Sequence, residues 1–417
     1  MLILWRLLIF VGVTYSAPAP IISPDVDVDE NLQLWNAESN IVPQPIRGNL
    51  GSTIVGPHNK AVELQNPDLL APPTTDNGQV QNMKWPFALS HNRLAKGGWA
   101  RQQNVDVMPV ATALAGVNMR LEPGAIREMH WHNTAEWAYM LKGDVRVSTV
   151  TPEGHVFVGD VSEGDLWYFP AGNPHSIQAK NTTRDGAEFL LIFDSGSFSE
   201  DATFLLTDWL AHVPKEVLAK NFGIKDLHAF DHIPEKELYI FPASPPPEDV
   251  EIDMVIPNNT PNPYTFRLSK VKPRKTPGGS VKVVDSRTFT VSEKISAVEV
   301  SVEVGGMREL HWHPTQPEWN YFISGEARVT IFASSANAHT FNYRGGDIGY
   351  VPPSFGHYVE NTGNTTLKFL EVFGSGLFED ISLTQWLALT PPALVKAHLG
   401  FSSKTIAKLS KMKQEVV

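Results

Sequence analysis

The sequence of 417 residues contains no cysteine. Disulfide bridges and thiolate chemistry are therefore excluded, and stability must come from the hydrophobic core and from contacts between subunits. Positive charge is also scarce, because 34 Lys and Arg residues face 45 Asp and Glu residues and leave a formal net charge of −11. This balance argues against nucleic acid or an anionic membrane as partner. It also opposes an anionic substrate at long range, so an anion site must supply its own local cations.

Long apolar runs are scarce too, and the most apolar stretch lies at the amino terminus. Residues 1–17 hold one early positive charge, Arg6, followed by an apolar run and by small residues, which predicts a secretory signal peptide. A buried first strand is the alternative, and Pro18 and Pro20 disfavour it. No later stretch reaches membrane-spanning length. We therefore expect a secreted, extracellular glycoprotein, whose three glycosylation sequons begin at Asn181, Asn258 and Asn364.

One segment occurs twice, as GAIREMHWHNTAEWAYMLKG at 124–143 and as GGMRELHWHPTQPEWNYFISG at 305–325. The match extends over about 140 residues, which indicates an internal duplication and two domains. Within each copy, alternating apolar and polar residues separated by Gly, Pro and Asn turns predict strands. Each copy closes with an amphipathic helical stretch, at 207–223 and 383–400. We therefore predict an all-β fold of two barrels with short C-terminal helices.

The repeat also divides the chain. We predict a first domain at 85–243, which would be the catalytic one, and a second domain at 264–417. The Pro-rich segment 244–263 is the predicted linker between them. Residues 18–84 have no counterpart in the repeat, and their polar, Pro-broken composition predicts an extended N-terminal arm over the barrels.

Each copy contains three histidines and one glutamate in the same order, which is the ligand set of a transition-metal site. On a strand, residues two apart point to the same face, so the HWH motif should turn both histidines inward and Trp131 or Trp312 outward. A single such pair is usually ordinary packing, but two sets in matching positions favour metal. Such ligands suit Mn, Fe, Ni, Cu or Zn, and ligand type alone does not decide. The predicted ligands are His130, His132, Glu136 and His175 in the first copy, and His311, His313, Glu318 and His357 in the second.

The pattern HxHx3Ex6G followed by Gx5PxGx2H resembles the paired motifs of cupins, with Ser354 replacing the internal glycine of the second motif in the second copy. Longer segments, such as PGAIREMHWHNTAEWAYM and EGDLWYFPAGNPHSIQA, look like those of the bicupin oxalate decarboxylases. The resemblance implies two jelly-roll barrels, two Mn ions per chain and dioxygen as co-catalyst. It further implies oxalate as substrate and a homo-oligomer, either a trimer or a dimer of trimers.

Two arginines, Arg127 and Arg308, precede the HWH motifs by three positions each. On a regular strand they would point away from the ligands, so they could reach the metal side only if the strand is bulged. A surface or interdomain ion pair is the alternative. The resemblance places Arg127 in the pocket, where it would bind a substrate carboxylate.

Two acids are candidates for moving a proton. The lid motif of the family, Ser-Glu-Asn-Ser, reads Ser199-Glu200-Asp201-Ala202 here, so Glu200 is the predicted proton carrier although the last two positions differ. In the second copy the family-matched acid is Glu371, for which an ion-paired or core-capping role is the alternative. Because the second copy lacks a lid loop of equal length, we expect its site to be metal-loaded but chiefly structural, or a weaker catalyst.

The chemistry of oxalate matches these residue types. Direct heterolysis of its C–C bond would leave an unstabilised formyl anion equivalent, whereas removal of one electron and one proton makes loss of CO2 easy. Reduction and protonation then give formate, which requires a redox metal and a proton carrier. We predict an oxalate decarboxylase. The alternatives are an oxalate oxidase on the same fold, a non-enzymatic storage or sugar-binding bicupin, and a dioxygenase of another substrate that uses Fe or Cu.

Overall fold

The computed structural model describes residues 59–417. The predicted signal peptide and most of the predicted N-terminal arm lie outside this range. Strands dominate the described residues, and the helices are short. Within 59–417 there is no helix with the length and apolar character needed to cross a membrane.

The strands fall into two series of similar lengths. The first series is β1 (Lys84–Pro86), β2 (Arg93–Ala95), β3 (Gly98–Gln103), β4 (Ala115–Leu121), β5 (Ile126–Trp131), β6 (Glu136–Lys142), β7 (Asp144–Val150), β8 (Val156–Ser162), β9 (Leu166–Phe169), β10 (His175–Ala179), β11 (Ala187–Phe193), β12 (Phe204–Leu205) and β13 (Ile240–Phe241). The second series is β14 (Thr265–Phe266), β15 (Arg274–Thr276), β16 (Gly279–Val284), β17 (Ser296–Val302), β18 (Met307–Trp312), β19 (Glu318–Ser324), β20 (Glu326–Phe332), β21 (Ala338–Arg344), β22 (Asp347–Val351), β23 (Gly356–Asn361), β24 (Leu367–Phe373) and β25 (Ile381–Ser382).

Apart from β1 and β14, which pair with the other barrel, each series forms a barrel of two antiparallel sheets. In the first barrel one sheet has the order β14-β9-β6-β11-β4-β3-β2 and the other β12-β5-β10-β7-β8, with β13 also pairing with β5. In the second barrel the orders are β1-β22-β19-β24-β17-β16-β15 and β21-β20-β23-β18-β25. Apolar side chains from both sheets meet between them, for example Val117 and Phe189 from one sheet with Val147 and Ile177 from the other. This arrangement is the two-barrel, mostly β fold that the sequence predicts.

The α-helices are short, and two precede the first barrel while the others follow the barrel strands: α1 (Lys60–Leu64), α2 (Pro67–Leu70), α3 (Leu206–Ala211), α4 (Lys215–Phe222), α5 (Leu383–Leu389), α6 (Pro392–Leu399) and α7 (Ser403–Ile406). Both predicted helical stretches are present, and each is divided by proline, at Pro214 and at Pro391, because proline cannot continue a helix. Helices α4 and α6 end at Gly223 and Gly400, whose φ values of 68° and 69° suit glycine.

The two barrels exchange edge strands. Strand β1 pairs with β22 of the second barrel, and β14 pairs with β9 of the first. Buried polar contacts join the barrels as well: Tyr139 Oη donates to Glu299 Oε2 at 2.8 Å, and Trp319 Nε1 donates to Gln103 Oε1 at 2.7 Å. The barrels are therefore held together by paired strands and hydrogen bonds in addition to the linker.

The described part of the predicted arm, from residue 59 to 84, lies on the second barrel. The buried carboxylate of Asp68 accepts from Arg328 Nε at 2.8 Å and from its Nη2 at 3.1 Å. Further along, Asn77 pairs through its main chain with Ala338. This stretch contains helices α1 and α2, so it is not extended throughout.

Candidate metal centres

Two clusters of three histidines and one glutamate lie inside the barrels, one in each. In each cluster the ligand atoms all lie within 4.8 Å of one another, and all eight side chains are buried. The structure thus brings together the predicted groups, which are His130, His132, Glu136 and His175 in the first barrel and His311, His313, Glu318 and His357 in the second.

The strand arrangement explains these clusters. In the first barrel His130 lies near the end of β5, Glu136 begins β6 and His175 begins β10. His175 stands directly opposite His130 in the antiparallel ladder, and His357 stands opposite His311 in the second barrel. The ends of three strands therefore meet at one place, β5 and β10 from one sheet and β6 from the other, and each strand contributes a ligand there.

The intervening tryptophans point outward, as predicted. Trp131 stacks on Phe204 with ring centroids 5.6 Å apart and meets Trp209 edge-on at 5.4 Å. Trp312 meets Trp386 in the same way at 5.5 Å. Both tryptophans therefore pack on the residues at the start of the C-terminal helices and not on the clusters.

Each histidine is oriented by its Nδ1–H group, which donates to a backbone carbonyl. The distances are 2.6 Å from His130 to Glu128 O, 2.8 Å from His132 to Thr134 O and 2.8 Å from His175 to Asn173 O. In the second barrel they are 2.6 Å from His311 to Glu309 O, 2.8 Å from His313 to Glu379 O and 3.0 Å from His357 to Phe355 O. A proton on Nδ1 leaves Nε2 with a lone pair directed into the cluster.

The electrostatics of the clusters favour a bound cation. Burial and the nearby Arg127 hold the pKa of His130 well below its ordinary value, and burial and Arg308 do the same for His311. Burial alone would raise the pKa of Glu136, but His175 and His132 outweigh it and the pKa is lowered. One imidazole in each cluster is therefore kept neutral and the carboxylate is kept ionised, the protonation states in which these groups bind metal.

The buried ligand atoms also lack other partners. Among residues 59–417, no hydrogen-bond partner is found for four Nε2 atoms or for either carboxylate oxygen of Glu318. Such groups are costly to bury unless something binds them. A divalent transition metal fits this donor set, because it accepts imidazole nitrogen and carboxylate oxygen together. The four unpartnered Nε2 atoms belong to His175, His311, His313 and His357.

A bulge brings the two arginines to the cluster side. Between Arg127 and His130 strand β5 advances three residues while β10 advances two, from Ile177 to His175. Strand β18 has the same irregularity between Arg308 and His311. A bulge inserts one extra residue into the strand, so side chains beyond it point to the opposite face from the one that regular alternation predicts. Arg127 and Arg308 are consequently 0% and 1% exposed, so the surface alternative is wrong for both.

Arg127 shares the pocket side of the first barrel with the predicted proton carrier. Arg127 Nη2 donates to Glu200 Oε2 at 3.1 Å, and Tyr239 Oη donates to the same oxygen at 2.9 Å. The guanidinium of Arg127 also lies 4.4 Å from the centre of the Tyr239 ring. Its Nε has no hydrogen-bond partner within residues 59–417. Arg127 therefore keeps one unused donor that is buried beside the metal cluster.

Glu200 lies in the segment Ser199–Ala202, which we call the lid segment. Glu200 begins a single turn of 3-10 helix, and Ser199 caps that turn by accepting from Asp201 N at 3.3 Å. Gln102 Oε1 accepts from Glu200 N at 2.9 Å. Just before the lid segment, Phe198 stacks on Phe193, with centroids 3.5 Å apart. These contacts hold Glu200 over the first cluster in a buried position.

Sequence reasoning did not identify Tyr239 as a site residue. It lies far from the HWH motif, and its backbone has φ of 58°, which is uncommon for a residue other than glycine. Glu128 holds it there: Glu128 Oε2 accepts from Tyr239 N at 2.8 Å, and Glu128 N donates to Tyr239 O at 2.9 Å. Glu415 has the same place in the second barrel, with φ of 53° and its carbonyl bound by Glu309 N. A comparison of the repeat through its last residues is the signal that could have found this position.

The second site differs from the first in its charges. Arg308 Nε donates to Glu371 Oε1 at 2.9 Å, and Arg308 Nη2 donates to Asp380 Oδ2 at 2.9 Å. Lys413 also pairs with Asp380. Glu371 is thus buried near the second cluster in the ion pair that the sequence left open as an alternative. Asp380, which sequence reasoning missed, binds Arg308 as Glu200 binds Arg127.

Ser354, where the motif departs from glycine, adopts the backbone conformation that its counterpart Gly172 has. Their φ values are 67° and 81°. Gly172 N donates to His132 O and Ser354 N to His313 O, both at 2.8 Å. The turn is therefore kept in both barrels, and the serine side chain adds a hydrogen bond from its Oγ to Pro314 O at 2.8 Å.

Comparisons with known proteins agree with this geometry. The profile of the cupin family matches residues 90–228 and 267–407. The chain is 53% identical over 382 residues to the oxalate decarboxylase OxdC of Bacillus subtilis, covering 91% of this chain and 98% of that one. It is 36% identical to an oxalate decarboxylase of Arthroderma benhamiae over 90% of this chain and 93% of that one. A solved structure of the Bacillus subtilis enzyme, from work on its Mn(II) centres, superimposes with a TM-score of 0.87 over 90% of this chain and 99% of that one.

Proposed function

The chain belongs to the cupin family, as a two-barrel member similar to oxalate decarboxylases, and from this we propose that it converts oxalate to formate and carbon dioxide. The observation that carries the proposal is the first site, where Glu200 is hydrogen-bonded to Arg127 beside a cluster of metal ligands. A proton carrier, an anion-binding cation and a metal centre are the three components that this reaction needs.

Manganese is the metal expected in both clusters. Two sites of three histidines and one glutamate are present, and the similar Bacillus subtilis structure concerns Mn(II) centres. His130, His132, Glu136 and His175 would hold the ion of the first site, which would supply one-electron redox chemistry with dioxygen as co-catalyst. His311, His313, Glu318 and His357 would hold the second ion, which would bind buried donor atoms that otherwise contact only each other within residues 59–417.

The reaction balances without a net oxidant. Hydrogen oxalate gives up one electron and one proton, and the radical anion breaks its C–C bond to release CO2. The remaining CO2 radical anion takes back one electron and one proton to become formate. The electron and the proton that leave in the first half therefore return in the second, which requires a residue that can both accept and donate a proton.

Arg127 binds the substrate carboxylate. A guanidinium presents several donors in a fixed fork, and the unpartnered Nε of Arg127 is available for an oxygen of oxalate. Burial strengthens this contact, because water does not compete for the charge. Arg127 thereby orients oxalate and stabilises negative charge as the C–C bond breaks.

Glu200 moves the proton. Its Oε2 already accepts from both Arg127 and Tyr239, so the carboxyl group is held at the edge of the space where oxalate binds. Tyr239 fixes its orientation, since burial and Glu200 raise the pKa of the phenol and keep its proton in place. Glu200 takes the proton from hydrogen oxalate and returns it to carbon after CO2 has left.

The lid segment keeps the radical from escaping. Glu200 is 7% exposed and Phe198 beneath it is also 7% exposed, so this segment closes the first site. Exclusion of water and dioxygen at this stage favours formate over peroxide. The second site is chiefly structural, because Glu371 and Asp380 already neutralise Arg308.

Export and glycosylation are part of the proposal. The pattern of residues 1–17 supports a signal peptide, and Asn181 and Asn364 have exposed side chains that an enzyme could reach. Asn258 is exposed as well, but its Nδ2 donates to Val158 O at 3.1 Å and its Oδ1 accepts from Val158 N at 2.9 Å. We therefore expect glycans at Asn181 and Asn364 before Asn258, which peptide mapping of the secreted protein would test.

A homo-oligomer is the proposed quaternary state, as a trimer or a dimer of trimers. Both helical appendages expose large apolar side chains, with Trp209 58%, Trp386 54% and Leu389 63% exposed. Exposed apolar surface of this kind marks protein–protein contacts. The two barrels present it at equivalent positions, which suits a symmetric assembly. Light scattering on the purified protein would measure the number of chains.

The decisive experiment measures metal content and products on the pure protein supplied with oxalate and air. We expect about two Mn per chain by the ligand count, and formate and CO2 in equal amounts with little peroxide. Stoichiometric peroxide with little formate would identify an oxalate oxidase instead. A preparation that contains no metal and turns over no oxalate would support a storage protein.

A further inference from the structure

A cavity of about 640 Å³ lies on the outer side of the lid segment. Glu200, Asp201 and Tyr239 form its inner wall, and strands β2 and β3 contribute Arg93 and Arg101. Because Tyr239 and Glu200 also contact the buried Arg127, they separate this cavity from the space beside the first metal cluster. The cavity is therefore the approach to the first site.

The cavity contains charged side chains of both signs, including two arginines that an anion could contact. Arg93, Arg101 and His91 line it, together with the acids Asp106, Glu200 and Asp201. The formal net charge of the chain is −11, so without such cations a dianion would be repelled. Because the acids offset the two arginines, attraction for an anion is local to the guanidinium groups and is not a property of the whole cavity.

Arg93 joins the cavity to the lid segment. Its Nη1 donates to Asp201 Oδ1 at 3.2 Å, and its Nη2 pairs with Glu237. Its guanidinium also lies 3.6 Å from the centre of the Tyr239 ring. One residue thus holds the lid through Asp201 and contacts the tyrosine that orients Glu200.

The ion pair of Arg93 and Asp201 is one in which another carboxylate can replace that of Asp201. Their side chains are 32% and 80% exposed, and exposed ion pairs of this kind are weak because water screens the two charges. A dicarboxylate in the cavity presents the same group as Asp201 with one more negative charge. It can therefore replace the Asp201 carboxylate on the guanidinium at little cost in free energy.

We propose that the cavity is an entrance site for small dicarboxylates, in which oxalate displaces Asp201 from Arg93 and so releases the lid segment. This inference rests on the proposed function, since it takes oxalate as the ligand. Substrate arrival and lid opening are then one event: the lid stays closed by the Arg93–Asp201 contact until an anion takes its place. Asp201 stands where the resembled lid motif has asparagine, so the contact depends on a residue particular to this chain's motif.

The first test is kinetic and uses the Mn-loaded protein. For Arg93→Gln we expect kcat/KM for oxalate to fall about tenfold at low ionic strength, with a much smaller change in kcat. The loss should shrink as salt is added, because salt screens the attraction in the parent protein. Arg93→Lys keeps the charge and should recover most of kcat/KM. Asp201→Asn removes the competing carboxylate and should lower KM.

Lys142→Gln is the matched control. Lys142 is an exposed cation of the first barrel that pairs with Glu163 at 2.9 Å, with side chains 63% and 57% exposed. The substitution removes one positive charge, as Arg93→Gln does, but Lys142 does not line the cavity. Its kcat/KM and salt dependence should match those of the parent protein. Equal losses in both variants would show a general charge effect and overturn the proposal.

The second test reads the lid directly. Because the sequence has no cysteine, Ala202→Cys gives one labelling site on the exposed surface of the lid segment. Without dioxygen, so that turnover stops, rapid mixing with oxalate should lower the anisotropy of a small fluorescent label in a fast, concentration-dependent phase. The same phase should be absent when Arg93→Gln is added, and formate, with one carboxylate, should produce a smaller change.

The outcomes separate the two proposals. If the parent protein makes no formate, the proposed function fails whatever Arg93 does. If the parent protein makes formate and Arg93→Gln keeps both its kcat/KM and the fast phase, the entrance site fails and the proposed function stands. Loss of kcat/KM with an unchanged fast phase would also overturn the link between Arg93 and the lid.

Discussion

Leu191 in the first barrel and Glu371 in the second occupy the same position on equivalent strands. Leu191 on β11 lies opposite Val117 and Ala138, and Glu371 on β24 lies opposite Val298 and Asn320. The acid at this position binds the Nε of Arg308, whereas the leucine leaves the corresponding atom of Arg127 without a partner. One apolar residue thus keeps a buried guanidinium available to an anion in the first barrel.

This difference predicts opposite consequences for the two arginines. Arg127→Leu should lower kcat/KM for oxalate by about 10²–10³, the effect of losing one donor to developing negative charge. Arg308→Leu leaves Glu371 buried without its cation and Asp380 with Lys413 alone, so the free energy of unfolding should fall by about 3–5 kcal/mol. Oxalate kinetics and urea unfolding on both variants provide the measurements. Similar losses of stability in the two variants would contradict the assignment.

Removal of the proton carrier should separate chemistry from metal binding. In Glu200→Gln the amide can still accept from Tyr239 but cannot take or return a proton, so formate production should fall by about 10²–10⁴. Metal analysis should still find both ions, because Glu200 belongs to neither ligand set. Glu216→Gln, at an exposed position on α4, is the control and should behave like the parent protein. Near-normal formate turnover in Glu200→Gln would refute the role of Glu200.

The metal clusters could be predicted from sequence because each is written into short motifs that occur twice. HWH fixes two ligands at the end of one strand, and the glutamate and the last histidine lie at the starts of two further strands. The arginines could not be placed in this way, since alternation alone turns Arg127 away from His130. Only the bulge in β5 turns Arg127 and His130 to the same side of the strand, and no residue pattern in this sequence marks the bulge.

Tyr239 and Asp380 lay beyond sequence reasoning for a different reason. Each reaches its arginine from a distant part of the chain, and each is held by tertiary contacts: Tyr239 by Glu128, and Asp380 by Arg308 and Lys413. No local sequence pattern specifies such contacts between distant residues. The entrance cavity is similar, because Arg93 and Asp201 are joined only by the fold.

Glu299, between the barrels, should make stability depend on pH. Burial alone would raise its pKa, but Lys368, Tyr139 and Lys282 outweigh burial and lower it. A lowered folded-state pKa adds stability above the unfolded-state value of about 4.3, and this stability is lost as the pH falls through the folded-state pKa. Glu299→Gln should therefore be about 1–3 kcal/mol less stable than the parent protein at neutral pH, with the difference vanishing in acid.

Urea unfolding between neutral and acid pH measures this difference. Glu303→Gln, at an exposed position just after the same strand, is the control and should track the parent protein throughout. A stability loss in Glu299→Gln that stays constant down to low pH would mean that packing, and not the charge of Glu299, links the barrels.

Single-ligand variants should separate the two metal centres. His132 and His313 are equivalent ligands, and replacing either by glutamine removes one imidazole from one cluster only. Each variant should therefore retain one Mn per chain in place of two, because the clusters lie in separate barrels. His132→Gln should lose formate production. His313→Gln should keep more of it and lose stability instead, since metal bound to the folded state stabilises that state.

The comparison tests the partition between the barrels. The first site has the guanidinium with an unused Nε donor, the lid segment and the entrance cavity, so oxalate turnover should follow its metal content. If His313→Gln loses formate as fully as His132→Gln while its first cluster still holds Mn, the second centre must take part in turnover. In that case Arg308 would have to exchange Glu371 or Asp380 for substrate, a change that oxalate binding to His132→Gln would detect.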